Sequence, residues 1–300
     1  MDRAPGWAEV LGQWVADPLW LAFLAAALSL YAWGMVRARD RRFVHPASRA
    51  VWFGFGAAAV AAAVFSPLAH YGRTILWVDF TGFLFLTMIA PPLLWLGAPL
   101  TLAFRATGKL GQKRLRAFYR SRPVAIVTFP VGTWLAFAVT TYLWQFTSLT
   151  DLAGRNDIAR SVQQLTLLAV GLLFWLPVVA VDPMRWRLAF PLRALYVVVE
   201  MTHKGLFGGM FLSLNTAIHH GFAGRAPSWA PDPMTDQRTA ILILWIGGNL
   251  VFLVALVAMV FKWVAYEQRN QRRTDRRLAL QREAARKRKA ALEQVFTRPV

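Results

Sequence analysis

The stretch Ser66–Pro99, SPLAHYGRTILWVDFTGFLFLTMIAPPLLWLGAP, decides the fold of this chain. It contains an apolar run long enough to cross a bilayer, which takes about 20 residues. The same run holds Asp79 near one end and the adjacent Pro91 and Pro92 in its interior. A carboxylate and two helix-breaking residues are costly in hydrocarbon, where every polar group needs a partner. We therefore expect a membrane helix whose polar and broken positions face other parts of the protein.

The composition of the whole chain agrees with this assignment. Hydrophobic residues make up 57% of the 300 residues, with 14 Trp and 21 Phe, whereas charged residues make up only 16%. Such a chain is typical of an all-α integral membrane protein. It contains no cysteine, which excludes disulfides and thiolate metal sites. The N-terminus lacks the basic start and small-residue cleavage site of a signal peptide, so we expect it to remain on the mature protein.

Hydropathy predicts a bundle of seven transmembrane helices in one membrane domain, residues 18–264. A short external segment, 1–17, precedes it, and a basic helical tail, 265–300, follows it. The predicted spans are Pro18–Val36, Ala50–Ala69, Ile75–Leu96, Pro123–Phe146, Ser161–Val181, Leu195–Ala217 and Ile241–Val264.

The positive charges predict the orientation of these spans. Most of the 34 Lys and Arg residues fall on one side when the connecting segments are assigned alternately to two sides. The positive-inside rule makes that side cytoplasmic, with the N-terminus outside and the C-terminal tail inside. The tail lacks Gly and Pro up to Phe296, so we expect it to continue the last span as a helix and to contact anionic lipid headgroups. No aromatic residues interleave its charges before Phe296, so we expect no nucleic-acid partner.

The sixth predicted span carries ionisable residues that are unusual in lipid. Glu200 and Lys204 lie four positions apart, a spacing that allows an intramembrane ion pair, with His203 beside them. Buried ionisable residues are functional candidates, although such a pair also serves simply to hold helices together. Gly205, Gly208 and Gly209 would let a partner helix approach closely.

Histidine and methionine are the candidate metal ligands, because they suit copper where thiolates are absent. His70, His219 and His220 are all predicted at the outer membrane face, where three imidazoles could meet. Met201 and His203 are further candidates, but their spacing directs the two side chains about 200 degrees apart on a helix. The sequence contains no phosphate loop, nucleophile elbow or zinc-protease helix, so we expect no enzymatic activity.

Several blocks resemble the CtaG-type cytochrome c oxidase assembly proteins, a seven-span family. The resemblance covers most of the chain. It is clearest in Ser66-Pro67-Leu68, in APPLLWLGAPLTLAFRA (Ala90–Ala106), in GLLFWLPV (Gly171–Val178) and in DQRTAILILWIGG (Asp236–Gly248). The resemblance implies a multi-pass protein of the bacterial plasma membrane that assists assembly of the respiratory oxidase, by copper delivery or by subunit maturation. Oxidase subunits or another membrane protein are the partners that it implies.

The family's motif histidines are replaced in this chain. The family pattern has His-Met-x-x-His just before the Ala-Pro-Pro block, and this chain has Asp79 and Phe83 at those His positions. Gln145 stands at the family's Trp-His turn, and Gln163-Gln164 stands at its Glu-His pair. In the predicted topology Asp79, Gln145, Gln163 and Gln164 would form one polar cluster near the outer face. Either the three outer histidines supply a relocated copper site, or the chain keeps the fold without the metal.

Two further functions stay open at this stage. One is a small-solute or metal permease that uses Glu200, His203 and Lys204 as a mid-membrane relay, with the break at Pro91 and Pro92 supplying a discontinuous helix. The other is a metal-free membrane scaffold that binds partner helices through the glycines of the sixth span. The sequence does not predict the oligomeric state.

Overall fold

The computed structural model describes residues 4–296, with side chains up to residue 287 apart from residue 286. Over this part of the chain it contains helices and connecting segments, and no strand. The α-helices, in chain order, are α1 (Trp7–Gly12), α2 (Pro18–Asp40), α3 (Ala47–Phe65), α4 (Pro67–Tyr71), α5 (Leu76–Leu84), α6 (Ala90–Leu96), α7 (Pro99–Ala106), α8 (Lys109–Arg120), α9 (Arg122–Val127), α10 (Pro130–Phe146), α11 (Leu149–Arg155), α12 (Asp157–Val179), α13 (Phe190–Leu212), α14 (His220–Ala223), α15 (Pro233–Leu242) and α16 (Gly248–Phe296). Two π-helical segments, Phe85–Ile89 and Ile243–Gly247, join α5 to α6 and α15 to α16.

Five stretches of helix are long and apolar enough to cross a membrane. They are Pro18–Asp40, Ala47–Tyr71, Leu76–Ala106, Asp157–Val179 and Pro233–Ala285. The protein is therefore an all-helical membrane protein, as the sequence predicted. The fourth and sixth predicted spans are helical as well, but neither is among the five. The fourth is interrupted at Thr128 and Phe129, between α9 and α10. The sixth corresponds to α13, whose mean hydropathy is lowered by Glu200, His203 and Lys204.

The chain divides into two compact units, one ending at Phe252 and one beginning at Leu253. Helix α16 runs through this boundary without interruption, which confirms that the last apolar segment continues as a helix into the basic tail. The predicted terminal segments 1–17 and 265–300 include residues 1–3 and 297–300, which lie outside the described residues.

A side chain of α12 donates a hydrogen bond to a carbonyl that a proline of the third span leaves unpaired. Proline has no N–H, so Pro91 cannot donate to the carbonyl of Thr87, four residues earlier. The indole Nε1 of Trp175 donates to that Thr87 oxygen instead, at 3.0 Å. A Cβ on Gly171 would lie 2.9 Å from Pro91 Cγ and 3.0 Å from the Thr87 backbone, so only glycine permits this close approach. The Pro-Pro and Phe-Trp blocks therefore form one packed interface.

Two distant carboxylates cap helices of the third span. Asp236 of α15 accepts hydrogen bonds from the backbone N–H groups of Leu76 and Trp77, both at 2.9 Å, at the start of α5. Asp182 accepts from the N–H of Leu100 at 3.1 Å and from that of Thr101 at 2.7 Å, at the start of α7. Helix N-termini leave such donors unpaired and favour negative charge. These bonds fix the third span against the segments that follow α12 and precede α16.

Candidate functional site

A buried ion pair lies between the third span and α12. Asp79 of α5 and Arg160 of α12 are 4% and 6% exposed, and the Arg160 Nη1 donates to Asp79 Oδ1. The same Nη1 lies 3.4 Å from the carbonyl oxygen of Gly72 and 3.5 Å from Gln163 Oε1. The guanidinium therefore has three acceptors, and the carboxylate has a neutralising partner.

Gln163 and Gln164 complete what we call the Asp79–Arg160 cluster, which consists of these four residues. All four line one cavity of about 10 Å³, together with Phe83. That volume is at the lower limit for a single water molecule. Asp79 Oδ2 and Gln164 Oε1 are buried without a hydrogen-bond donor. The structure thus brings together three of the four residues predicted to form a polar cluster, and Phe83, the other motif position, lies against them.

Arg160 is the residue that the sequence analysis missed, because the predicted fifth span begins at Ser161 and leaves Arg160 in the connecting segment before it. Helix α12 begins earlier than predicted, at Asp157, where the Asn156 side chain accepts a hydrogen bond from the Ala159 N–H at 3.0 Å. Arg160 therefore lies inside the helix, three residues before Gln163 and four before Gln164. The i, i+3 and i, i+4 spacing that puts these side chains on one face was the available signal.

Gln145 lies apart from the other predicted members of the polar cluster. Its backbone oxygen accepts a hydrogen bond from His219 Nε2 at 3.0 Å, and its side chain lines a different cavity. His219 is 3% exposed, its ring packs edge-on against Phe80 with centroids 6.1 Å apart, and its Nδ1 lies 4.0 Å from Asp151 Oδ1. Burial lowers the pKa of His219 below the usual 6.5, although the Asp151 carboxylate opposes this effect. His219 therefore ties the loop after α13 to the ends of α10 and α5.

The three outer histidines do not form a shared site. His219 is buried and hydrogen-bonded, whereas His70 and His220 are exposed. Among the residues whose side chains the structure describes, no group of three or more His, Asp or Glu is arranged to hold a metal ion. The expected meeting of His70, His219 and His220 is therefore not seen in this structure, because burial of His219 against Phe80 separates its ring from the exposed surface.

Glu200 makes a contact other than the predicted one. Its carboxylate is 1% exposed, and its Oε2 lies 3.2 Å from His203 Nδ1. The His203 ring packs between Trp134 and Tyr142, with both centroid distances 5.2 Å. No direct ion pair joins Glu200 to Lys204 among the described residues. One turn of helix separates the two residues, but the Lys204 ammonium turns toward the Phe137 ring, 5.7 Å from its centroid.

A second cavity lies beside these residues, and we call it the Glu200 pocket. Its lining includes Thr141, Gln145, Glu200, His203 and Lys204, and its volume is about 20 Å³. That is room for about one water molecule. Both carboxylate oxygens of Glu200 are buried without a hydrogen-bond donor. The pocket therefore presents acceptor groups that the protein itself leaves unsatisfied. Met201, the remaining predicted ligand, is half-buried on the same helix.

The glycines of α13 pack partly within the protein. A Cβ on Gly208 would lie 2.9 Å from the Trp245 ring, and one on Gly205 would lie 3.6 Å from Trp245 Nε1. Gly209 has nothing within 4 Å of such a Cβ. We expected these glycines to let a partner helix approach closely. At Gly208 and Gly205 the neighbour that approaches is Trp245 of the same chain.

Comparison with known proteins connects this geometry to a family. The sequence model of the family described as cytochrome c oxidase caa3 assembly factor (Caa3_CtaG) matches residues 29–265. Uncharacterized proteins of Mycobacterium bovis, Mycobacterium tuberculosis and Mycobacterium leprae are each 27% identical to the chain over 285 residues. The match covers 92% of this chain but 43% of each relative, so the chain spans less than half the length of these relatives. No solved structure matches the chain.

Proposed function

Because the chain belongs to the family of cytochrome c oxidase caa3 assembly factors, we propose that it is a non-catalytic assembly factor that assists subunit maturation of the oxidase in a bacterial plasma membrane. The observation that carries this proposal is that Asp79, at a position where the resemblance expects a histidine, is paired instead with Arg160 of α12. A closed, paired cluster supports a scaffold that holds a client subunit, with the polar end of the bundle as the contact region.

The proposal includes seven spans with the N-terminus outside and the C-terminus in the cytoplasm. Helices α9 and α10 together supply the fourth span, and α13 supplies the sixth. The distribution of Lys and Arg supports this orientation. Reporters fused after Arg120 and after Arg155 are expected to be active on opposite sides of the membrane. Activity of both on the same side would overturn the seven-span topology.

Copper fits the motif positions poorly. Cu(I) prefers imidazole and thioether ligands, whereas this cluster offers one carboxylate and two amides. The carboxylate is already paired with Arg160, whose positive charge repels a cation placed in the same cavity. An alternative to the metal-free role is that the protein delivers copper through other groups, chiefly His70 and His220. A competition titration of Cu(I) against a chelator tests it, with His70→Ala and His220→Ala as the variants.

Oxidase activity in membranes from a strain lacking this protein tests the main proposal. We expect the activity to fall, and to return when the wild-type gene is reintroduced. Immunoblotting of the membranes confirms that the reintroduced protein accumulates to its normal level. Unchanged oxidase activity in the deletion strain would overturn the proposal.

One observation favours a permease as a second candidate function. The Glu200 pocket combines an unsatisfied carboxylate, an imidazole and an ammonium within proposed membrane spans, which is the composition of a proton or solute relay. Purified protein in liposomes that contain a pH-sensitive dye tests this function. Proton flux that is lost in Glu200→Gln would support a relay, and absence of flux in the wild type would exclude a proton-conducting one.

A further inference from the structure

An apolar groove lies between α2, α7 and α8, away from both polar clusters. Its volume is about 670 Å³. Its walls are formed mainly by small and aliphatic side chains, including Ala27, Leu30, Leu102 and Ala103, and by the ring of Phe118. Water gains no hydrogen bonds in an apolar space of this size, so the space suits an apolar ligand. The groove therefore has the chemistry of an acyl-chain site.

Helix α8 closes one side of this groove and is strongly amphipathic. Its sequence, KLGQKRLRAFYR, contains five basic residues and no acidic one. Leu115 and Phe118 line the groove, whereas Lys113, Arg116 and Arg120 line a shallow depression on another side of the helix. A basic amphipathic helix of this kind lies in the membrane interface. The groove is thus placed at headgroup level.

Arg114 is the basic residue of α8 that lines the groove itself. Among the described residues, no carboxylate forms an ion pair with Arg114 or with the other basic side chains of α8. Further cations lie nearby, Arg37 in the last turn of α2 and Arg41 just after it. The Arg37 guanidinium is 5.9 Å from the Trp33 ring, which lines the groove, and a Cβ on Gly108 would lie 3.3 Å from the Arg41 guanidinium. An apolar groove therefore ends among uncompensated positive charges.

We propose that this groove binds an anionic phospholipid, with an acyl chain between α2 and α8 and the phosphate group against Arg114. Charge complementarity selects this occupant, because a zwitterionic lipid carries no net charge to offset the cations. None of the residues that line the groove belongs to the basic tail.

Native mass spectrometry of the purified full-length protein tests the proposal. Delipidated protein is titrated with phosphatidylglycerol and with phosphatidylcholine of the same acyl chains. Wild-type protein is expected to retain phosphatidylglycerol preferentially. Arg114→Gln is expected to weaken that binding about fivefold, the effect of one basic residue near an anionic surface. Arg116→Gln, on the same helix but outside the groove, is the matched control and is expected to change it less.

The acyl-chain part of the proposal has its own pair of variants. Ala27→Trp places an indole in the groove and is expected to lower retention of phosphatidylglycerol, while the adjacent Ala26→Trp, which does not line the groove, is expected to leave it unchanged. Equal retention of the two lipids by the wild type would overturn the proposal. So would equal effects of Arg114→Gln and Arg116→Gln, or displacement of the lipid by inorganic phosphate alone.

Discussion

The Asp79–Arg160 cluster and the Glu200 pocket hold buried charge in two different ways. In the first, a guanidinium from α12 neutralises the carboxylate and also contacts a backbone oxygen and an amide. In the second, both oxygens of Glu200 lack a hydrogen-bond donor, and the nearest partner is an imidazole. In the first arrangement Asp79 Oδ1 accepts from a guanidinium and Asp79 Oδ2 has no donor, whereas in the second neither carboxylate oxygen has one. We therefore expect the Asp79–Arg160 pair to stabilise the fold and the Glu200 carboxylate to contribute little to stability.

Removing one partner of the paired cluster should have the largest effect on stability. Arg160→Leu leaves the Asp79 carboxylate buried and unpaired, which typically costs about 3–5 kcal/mol. We expect a large drop in unfolding temperature in detergent. The half-buried Arg73 and the exposed Asp157 form an ion pair nearer the surface, and Arg73→Ala should cost about 1 kcal/mol or less. If the two variants unfold alike, the cluster is not the structural element described here.

The interface between Trp175 and the proline break allows a double-mutant cycle. Trp175→Phe leaves the buried Thr87 carbonyl without a donor and should cost about 1–3 kcal/mol in unfolding free energy. Pro91→Ala restores a backbone N–H four residues after Thr87, so adding it to Trp175→Phe should recover part of the loss. Trp95→Phe is the control, since the carbonyl that Trp95 contacts, that of Leu172, has Leu176 rather than a proline four residues later. Strict additivity of the two changes would contradict this account.

Glu200→Gln should affect stability in the opposite way to Arg160→Leu. The amide removes a buried charge that lacks hydrogen bonds, so the unfolding free energy should stay within about 1 kcal/mol of wild type or rise. Chemical denaturation in detergent measures this. A loss as large as that of Arg160→Leu would show that Glu200 is structural, and the contrast between the two regions would fail.

His219 should give the smallest effect, seen as a dependence on pH. Burial holds the pKa of its folded form below 6.5, so below that pH the unfolded chain binds a proton that the folded chain does not. Stability contributed by the neutral ring is therefore full above about pH 6.5 and declines as the pH falls further. The difference in unfolding temperature between wild type and His219→Gln should shrink from pH 7.5 to about pH 5.5.

Local hydropathy was enough to predict the helical membrane class and the approximate position of five stretches long and apolar enough to cross a membrane. The family resemblance, together with the predicted topology, placed Asp79 near Gln163 and Gln164, and the structure brings these three residues together. Arg160 was missed because the start of α12 depends on the cap at Asn156, which moved the helix boundary by four residues from the predicted Ser161. Hydropathy averages over a window and does not detect a single capping residue.

The remaining differences arise from the rotation and register of helices. The contact of Glu200 with His203 rather than with Lys204 depends on how Trp134, Tyr142 and Phe137 fill the space around α13. Likewise, the caps supplied by Asp236 and Asp182 join residues about 160 and 80 positions apart. Such contacts follow from packing of distant segments, which one sequence without an alignment does not reveal.

The measurement that tests the central claim most directly is oxidase activity in the deletion strain grown with and without added copper. The claim is that the protein assists assembly of the oxidase through a paired polar cluster that does not take copper. The predicted result is low activity that copper does not restore and that the wild-type gene does restore. Recovery of oxidase activity by copper alone would contradict the claim.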